Sequence, residues 1–242
     1  MNYAIILAGG VGQRMRNSGM PKQFLEVFGK PILVYTIEKF EQCDDVDQII
    51  IACNASWIDY MMELLIRFNL KKVRKVVVGG KNRQGSIDNA LKVIENTSEN
   101  DNDIVVIHDG VRPLVNINVI SENIRVARQY GCAMTVRAVV ESVVITNQDV
   151  ASFEDFKKRD DTYTLTSPQT FKLGILRGLY KKIDGIEQPF PLLDTALIYT
   201  FLGNQIHIVK EDNQNIKITT PEDYYILKAM LELQESKNVF GI

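Results

Sequence analysis

Arg14 and Lys22 are the residues of this chain best placed to do chemistry. Arg14 sits near the end of the run Ala4-Ile-Ile-Leu-Ala-Gly-Gly-Val-Gly-Gln-Arg-Met15, and Lys22 sits within Met20-Pro-Lys-Gln-Phe-Leu25. Gly9, Gly10 and Gly12 let a backbone approach a ligand closely and point amide N–H groups at an anion. A fixed arginine and lysine add charge where a triphosphate reacts, and Pro21 sets the lysine beside a rigid bend. The combination reads as a nucleotide phosphate site with catalytic cations attached. Glycines at a strand-to-helix turn also serve structure alone, and the two cations weigh against that reading. A dinucleotide fingerprint would have glycine at Met15, and a Walker loop would end in Gly-Lys-Ser or Gly-Lys-Thr; neither pattern is present.

Two later loops carry further candidates. In His108-Asp-Gly-Val-Arg-Pro113, Asp109 can hold a divalent ion against triphosphate oxygens. Arg112 can reach a phosphate or orient a neighbouring subunit. The competing reading is that Asp109 merely opens an Asp-Gly turn, and His108 reads as a packed histidine rather than a ligand. Gly79-Gly-Lys-Asn-Arg-Gln-Gly-Ser86 is small and rich in donors and acceptors. It can read a base edge through its backbone and the Ser86 hydroxyl, or simply start a helix capped by Asn82; spacing leaves the two even.

The elements that must position these loops alternate. The continuous apolar run Tyr3–Ala8 predicts a strand buried on both faces, Gln48–Cys53 a second buried strand, and Val73–Val78 and Asp103–His108 a third and a fourth strand. Ala133–Val140 reads as a fifth. Helical patterns fall between them: Pro31–Cys43, a helix capped by Ser56 and running to about Phe68, Arg83–Glu95, and Ile117–Tyr130. This is an α/β domain with a mostly parallel sheet. Ligands of such sheets bind at the carboxyl ends of the strands, where the three loops converge. From Ser142 to Thr166 the pattern weakens around a polar stretch and predicts a protruding β-arm, about 141–166, for dimerisation. Helices return at Lys172–Ile183 and Leu193–Phe201, and strands at Gln205–Val209 and Asn215–Thr219. Thr220-Pro-Glu-Asp223 opens a last helix. The 242 residues read as a single domain.

Composition bounds the partners. Formal net charge is -2, so no basic field attracts nucleic acid. No segment approaches the ~20 apolar residues of a membrane span, and the N-terminus lacks the pattern of a signal peptide. Cys43, Cys53 and Cys132 are odd in number and far apart, which suits free thiols in a reducing cytoplasm.

Taken together, Leu7-Ala-Gly-Gly-x-Gly-x-Arg-Met15, Pro21-Lys-Gln-Phe24, Gly79-Gly-x-x-Arg-x-x-Ser86, His108-Asp-x-x-Arg-Pro113, Ser167-Pro-Gln169 and Asn215-Ile-Lys-Ile-Thr-Thr-Pro-Glu-Asp223 resemble the cytidylyltransferases of the methylerythritol-phosphate and ribitol-phosphate type. The blocks occur in the family's order. The resemblance implies a Rossmann-like nucleotidyltransferase domain and a homodimer locked by β-arms. It implies attack by a sugar-alcohol phosphate on the α-phosphorus of CTP, with Mg²⁺ bound and pyrophosphate leaving. By the same resemblance Arg14 and Lys22 stabilise the transition state, and Leu7, Ala8, Gly9 and Gly10 bind the nucleotide. Gly80, Lys81, Asn82, Arg83, Gln84, Gly85 and Ser86 recognise cytosine and ribose. Asp109 holds Mg²⁺. Arg159 and Lys217 position the acceptor phosphate, with Arg112, Ser142 and Ser167 also on the substrate. Without the resemblance, Arg159 belongs to a charged run of the kind that is usually solvated.

Such a site needs positioning and cationic screening more than a general base, because the acceptor phosphate is already a nucleophile. Leu7-Ala-Gly-Gly resembles the ribitol-phosphate branch more than the Ala-Ala-Gly usual in the methylerythritol branch, and His108-Asp-Gly-Val-Arg likewise lacks that branch's Asp-Ala-Ala-Arg. Leu193-Asp-Thr195 departs from the family's Thr-Asp pair. The expected acceptor is ribitol 5-phosphate, for surface-polymer synthesis. The alternatives are methylerythritol phosphate, for isoprenoid synthesis, a non-catalytic nucleotide-binding protein, and an NAD-type dehydrogenase.

Overall fold

The computed structural model describes residues 1–10, 19–147, 149–183, 186 and 194–240. Arg14, with Gly12, and Leu193 lie outside the described residues.

Strand β1 (Asn2–Ala8) shows why a continuous apolar run becomes a central strand. Side chains alternate across a strand, so Tyr3 and Ile5 enter one core while Ala4 and Ile6 enter the other. The remaining strands are β2 (Gln48–Cys53), β3 (Val73–Val78), β4 (Ile104–Asp109), β5 (Cys132–Ala138), β6 (Tyr163–Lys172) and β7 (Ile208–Glu211). They form a seven-stranded sheet ordered β7-β5-β6-β4-β1-β2-β3. β4, β1, β2 and β3 run parallel. Helices α1 (Ile32–Glu41), α2 (Ile58–Arg67) and α4 (Ile117–Tyr130) give Leu33, Phe40, Met61, Leu64 and Ile124 to one core. Helix α3 (Arg83–Glu95) covers the other face through Ile87, Leu91 and Ile94. Three short helices join it there: α5 (Leu173–Leu176), α6 (Leu179–Lys182) and α7 (Thr195–Phe201). The last helix, α8 (Pro221–Phe240), docks through Leu227 on a small cluster with Val111 and Ile218. None of the described helices is long and apolar enough to cross a membrane.

The strands at Val73–Val78 and the helices at Arg83–Glu95 and Ile117–Tyr130 fall where the periodicity puts them. Five other expectations need correction. First, the β-arm is shorter than 141–166: it pairs Val143–Val144 with Phe156–Lys157. Residues from Tyr163 onward form β6, a central strand antiparallel to both β4 and β5. Its Thr166, Ser167, Gln169 and Thr170 are buried polar residues, so hydropathy hides it. Pro168 is tolerated because the ladder shifts register between Leu165 and Gln169. Second, Asn54 rather than Ser56 caps the segment before α2, accepting from the Ser56 N–H at 3.0 Å. Third, the helix expected over 172–183 splits at Gly178, whose φ of 70° needs glycine. Fourth, the strand near the end is Ile208–Glu211, not 205–209. Fifth, Asn215–Thr219 joins no ladder. Its backbone groups bond elsewhere: the Asn215 carbonyl takes Arg112 Nη1 at 2.8 Å, and the Ile218 N–H reaches the Val111 carbonyl at 2.9 Å.

Candidate active site

The carboxyl ends of β1, β2, β3 and β4 open into one cleft of about 630 Å³. Of the expected residues, Leu7, Ala8, Gly9, Gly10, Lys22, Gly80, Lys81, Asn82, Arg83, Ser86, Asp109 and Lys217 line it. Gln23, Asn54, Ala55, Val78, Gly79 and Val111 line it as well. Asn54 and Ala55 follow directly from the end of β2, so the rule that ligands sit at strand ends would have found them.

Gln23 sets the shape of the glycine loop. It is fully buried, and its amide nitrogen donates to the Ala8 and Gly10 carbonyls, both at 2.9 Å. One side chain thus ties the end of β1 to the segment that carries Lys22. The neighbouring Phe24 is also buried and stacks on Trp57 with ring centres 5.1 Å apart. Lys22 is therefore presented from a short turn anchored on its C-terminal side.

The Gly79–Ser86 loop both starts a helix and faces the cleft. Asn82 caps α3, accepting from the Gly85 N–H at 2.8 Å, and the loop also lines the cleft. Ser86 is nearly buried; its oxygen accepts from the Gly80 N–H and donates to the Asn82 carbonyl, each at 3.0 Å. The hydroxyl therefore closes the loop. Gly80 is a steric requirement, since a Cβ there would lie 2.3 Å from the Gly85 carbonyl carbon. Gln84 and Gly85 belong to the first turn of α3 but do not line the cleft.

Asp109, the last residue of β4, is the electrostatic centre. Lys217 Nζ lies 3.0 Å from Oδ2, Arg112 Nε 3.4 Å from Oδ2, and Arg83 Nη2 3.7 Å from Oδ1. Burial alone pushes this carboxyl up, but Arg83, then Lys217 and Arg112, outweigh it and hold it far below the usual carboxylate range. Lys217 is 45% exposed, so its ion pair is strongly screened, whereas Arg112 and Asp109 are only 10% and 14% exposed. The Arg112 contact does more to fix the carboxylate. Arg83 is steadied from the far side by Asp194 at 3.8 Å and Thr195 at 3.5 Å. The Asp194-Thr195 pair that departs from the family pattern still supports the site.

Two of the expected substrate contacts, Arg112 and Ser167, prove to be internal braces. Arg112 is turned inward, between Asp109 and the Asn215 carbonyl, and meets neither the cleft nor the surface. Ser167 is buried, 3.0 Å from His108 Nδ1, and accepts from the Asp109 N–H. The Arg112 carbonyl, 3.1 Å from His108 Nε2, can only accept. Nε2 therefore carries the proton, and Nδ1 accepts from the Ser167 hydroxyl. Burial pushes the His108 imidazole down to about 4, so it is neutral near pH 7. Ser142 is exposed at the root of the arm and lines no part of the cleft. Arg159 is likewise outside it, 63% exposed and 3.8 Å from Asp160. Among the described residues no group of three His, Cys, Asp or Glu side chains could hold a metal ion unaided.

The comparisons with known proteins agree with this geometry. The family model for 2-C-methyl-D-erythritol 4-phosphate cytidylyltransferase, IspD, matches residues 2–233. The chain is 40% identical to a ribitol-5-phosphate cytidylyltransferase of Vibrio parahaemolyticus over 100% of both chains. It is 39% identical to the protein of that name from Streptococcus agalactiae serotype III, again over 100% of both. The crystal structure of a 4-diphosphocytidyl-2C-methyl-D-erythritol synthase from Anaerococcus prevotii superposes with a TM-score of 0.81 at 27% identity, over 96% of each chain. A cleft built from ordered motif blocks and a family match from nearly end to end lead to one conclusion: this chain belongs to the 2-C-methyl-D-erythritol 4-phosphate cytidylyltransferase family and is a nucleotidyltransferase.

Proposed function

We propose that this cytidylyltransferase transfers CMP from CTP to D-ribitol 5-phosphate, giving CDP-ribitol and pyrophosphate, with Mg²⁺ bound. A phosphate oxygen of the acceptor attacks the α-phosphorus, the bond to the β-phosphate oxygen breaks, and pyrophosphate leaves. The obstacle is repulsion between two anions. Lys22 and Lys217 line the cleft at separate points, and each neutralises charge there; Arg14 is assigned the same task from its place in the glycine loop. The amides of the glycine loop and of Gly79–Gly80 receive the nucleotide.

Asp109 fits a magnesium ligand. It is deprotonated, it faces the cleft, and among the described residues its Oδ1 meets only Arg83 at 3.7 Å. Mg²⁺ commonly takes one or two carboxylates and completes its shell with phosphate oxygens and water. Bound there, the ion would supply Lewis-acid charge to the triphosphate.

The observation that carries the acceptor is the identity of 39–40% over full length with proteins named for ribitol 5-phosphate. The His108-Asp-Gly-Val-Arg block that resembles the ribitol-phosphate branch lies at the cleft. A Cβ at Gly110 would lie 2.7 Å from Leu33 Cδ1 and 2.9 Å from the Leu7 carbonyl. Position 110 therefore has no room for a side chain, and Val111 beside it lines the cleft. The second reading, methylerythritol 4-phosphate as acceptor, is favoured by the family model and the superposed crystal structure. Pyrophosphate release with CTP against ribitol, methylerythritol and glycerol phosphates separates them. Ribitol 5-phosphate is expected to give the highest kcat/KM; a higher value for methylerythritol 4-phosphate overturns the assignment.

The arm is read as a homodimer contact. Ile145, Val150, Phe153 and Phe156 are all exposed on it, Phe153 at 88%, which is costly without a cover. Pairing with a second copy would also give Ser142 and Arg159 a substrate role. A Phe153→Asp variant is expected to sediment as a monomer. The three cysteines are free and buried, in keeping with a reducing cytoplasm.

A further inference from the structure

Lys217 is held between two clamps. Beyond it, the Ile218 N–H binds the Val111 carbonyl at 2.9 Å and the Ile218 side chain is fully buried. Before it stands Asn215, itself buried, whose carbonyl takes Arg112 and whose amide nitrogen donates at two points. One is the Ser167 carbonyl at 2.8 Å, in the strand beside Asp109. The other is Glu211 Oε2 at 2.7 Å. Glu211 ends β7, and its second oxygen accepts from the Thr166 hydroxyl at 2.7 Å. The residues between, Asp212, Asn213 and Gln214, are exposed. Glu211 therefore ties the edge strand β7, the central strand β6 and the Asn215 clamp into one rigid piece.

We propose that Glu211 is a positioning residue for cytidylyl transfer: it fixes Asn215 and, through it, the place from which Lys217 meets the acceptor phosphate. Glu211 does not line the cleft and touches no substrate. Among the described residues Glu211 forms no salt bridge; its close partners are a threonine hydroxyl and an asparagine amide. The inference rests on the reading of Lys217 as an acceptor contact, and the experiment below separates the two.

Steady-state kinetics with CTP and the fastest acceptor of the phosphate panel tests it, on wild type, Lys217→Ala, Glu211→Ala and the double variant. Glu211→Ala is expected to raise the acceptor KM roughly 10-fold, the size of effect seen when outer-shell supports are removed, with the CTP KM within about twofold. In the Lys217→Ala background the same change is expected to cost nothing further, since Glu211 acts through that lysine. Glu211→Gln is expected to rescue. Its amide oxygen accepts from Asn215, and its amide nitrogen donates to the Thr166 oxygen, whose proton then goes to the Thr135 carbonyl 3.2 Å away. If Glu211→Ala fails to fold, Glu211→Asp, one methylene short, carries the same comparison. Equal losses for both substrates, or additive losses in the double variant, overturn the proposal. An unchanged acceptor KM in Lys217→Ala overturns the reading of Lys217, and this inference with it.

Discussion

The nucleotide wall of the cleft and the wall around Asp109 are stabilised at different ranges along the chain. In the Gly79–Ser86 loop the closing hydrogen bonds join residues three to six positions apart: Gly85 to Asn82, Ser86 to Asn82, Gly80 to Ser86. Around Asp109, beside the local contacts of Arg112 with Asp109 and His108, four bonds join residues 48 to 103 positions apart: Asn215 to Ser167, Asp109 to Ser167, Ser167 to His108, Arg112 to Asn215. The first wall folds on itself and can be altered with local consequences. The second exists only once β4, β6 and the segment after β7 are assembled. A change there should disturb stability and chemistry together, whereas a change in the first should fall mainly on nucleotide binding.

The largest expected effect sets Asp109→Ala beside Lys22→Ala. Both should lower kcat by about 10³-fold, the scale of losing one charge-stabilising group. Asp109→Ala also leaves Arg112, largely buried, without its paired carboxylate and leaves Arg83 to Asp194. It should reduce the unfolding free energy by roughly 3 kcal/mol. Lys22→Ala should cost about 1 kcal/mol or less and leave CTP binding measurable by calorimetry. Equal stability losses in the two variants would erase the distinction between the walls.

Next in size is a pH effect confined to the long-range wall. His108 is buried neutral with its imidazole pushed down to about 4, while in the unfolded chain it titrates near 6.5. Below pH ~6.5 the unfolded chain binds a proton that the folded one refuses, so stability falls with acid. The slope is ~1.4 kcal/mol per pH unit until the folded imidazole titrates near 4, after which this contribution is constant. Urea unfolding from pH 7 to pH 4 should show that slope in wild type. A His108→Gln variant, which does not titrate, should flatten it; a wild-type curve already flat in this window would refute the assignment.

The same contrast in range explains what the sequence reveals. The glycine loop, Pro21-Lys-Gln-Phe24 and Gly79–Ser86 are contiguous, so spacing singles out Gly9, Gly10 and Lys22, the family resemblance adds Leu7, Ala8, Asn82 and Ser86, and all of them line the cleft. Asp109 and Lys217 are found as well, one at a strand end and one through the family resemblance. The braces are misread. Arg112 and Ser167 look like substrate contacts because nothing local shows that Asn215 and His108 occupy them. β6 is missed as a core strand for a related reason: Thr166, Ser167, Gln169 and Thr170 look exposed until the hydrogen bonds they make in the core are known. Gln23 is quoted within its motif, yet its bonds to Ala8 and Gly10 require the loop to be folded already.

Two smaller changes probe the short-range wall. In Gly80→Ala the new methyl would meet the backbone of Gly85 and Ser86 at 2.3 to 2.7 Å. No side chain can move aside there, so the loop must open. A cost of about 2 kcal/mol is expected, felt as a raised CTP KM with the acceptor KM unchanged.

Asn82→Ala should do less. It removes one cap, the 2.8 Å bond from the Gly85 N–H, at about 1 kcal/mol. Ser86 still closes the loop, although its acceptor is the Asn82 backbone, which the substitution keeps. The two hydrogen bonds of that hydroxyl therefore survive, and only the first turn of α3 loosens. Asn82→Ser, which can cap in the same way, should restore both stability and CTP KM. A CTP KM that stays high in Asn82→Ser at recovered stability would show that the Asn82 amide touches the nucleotide, which would make this residue a reader of the base or sugar as well as a helix cap.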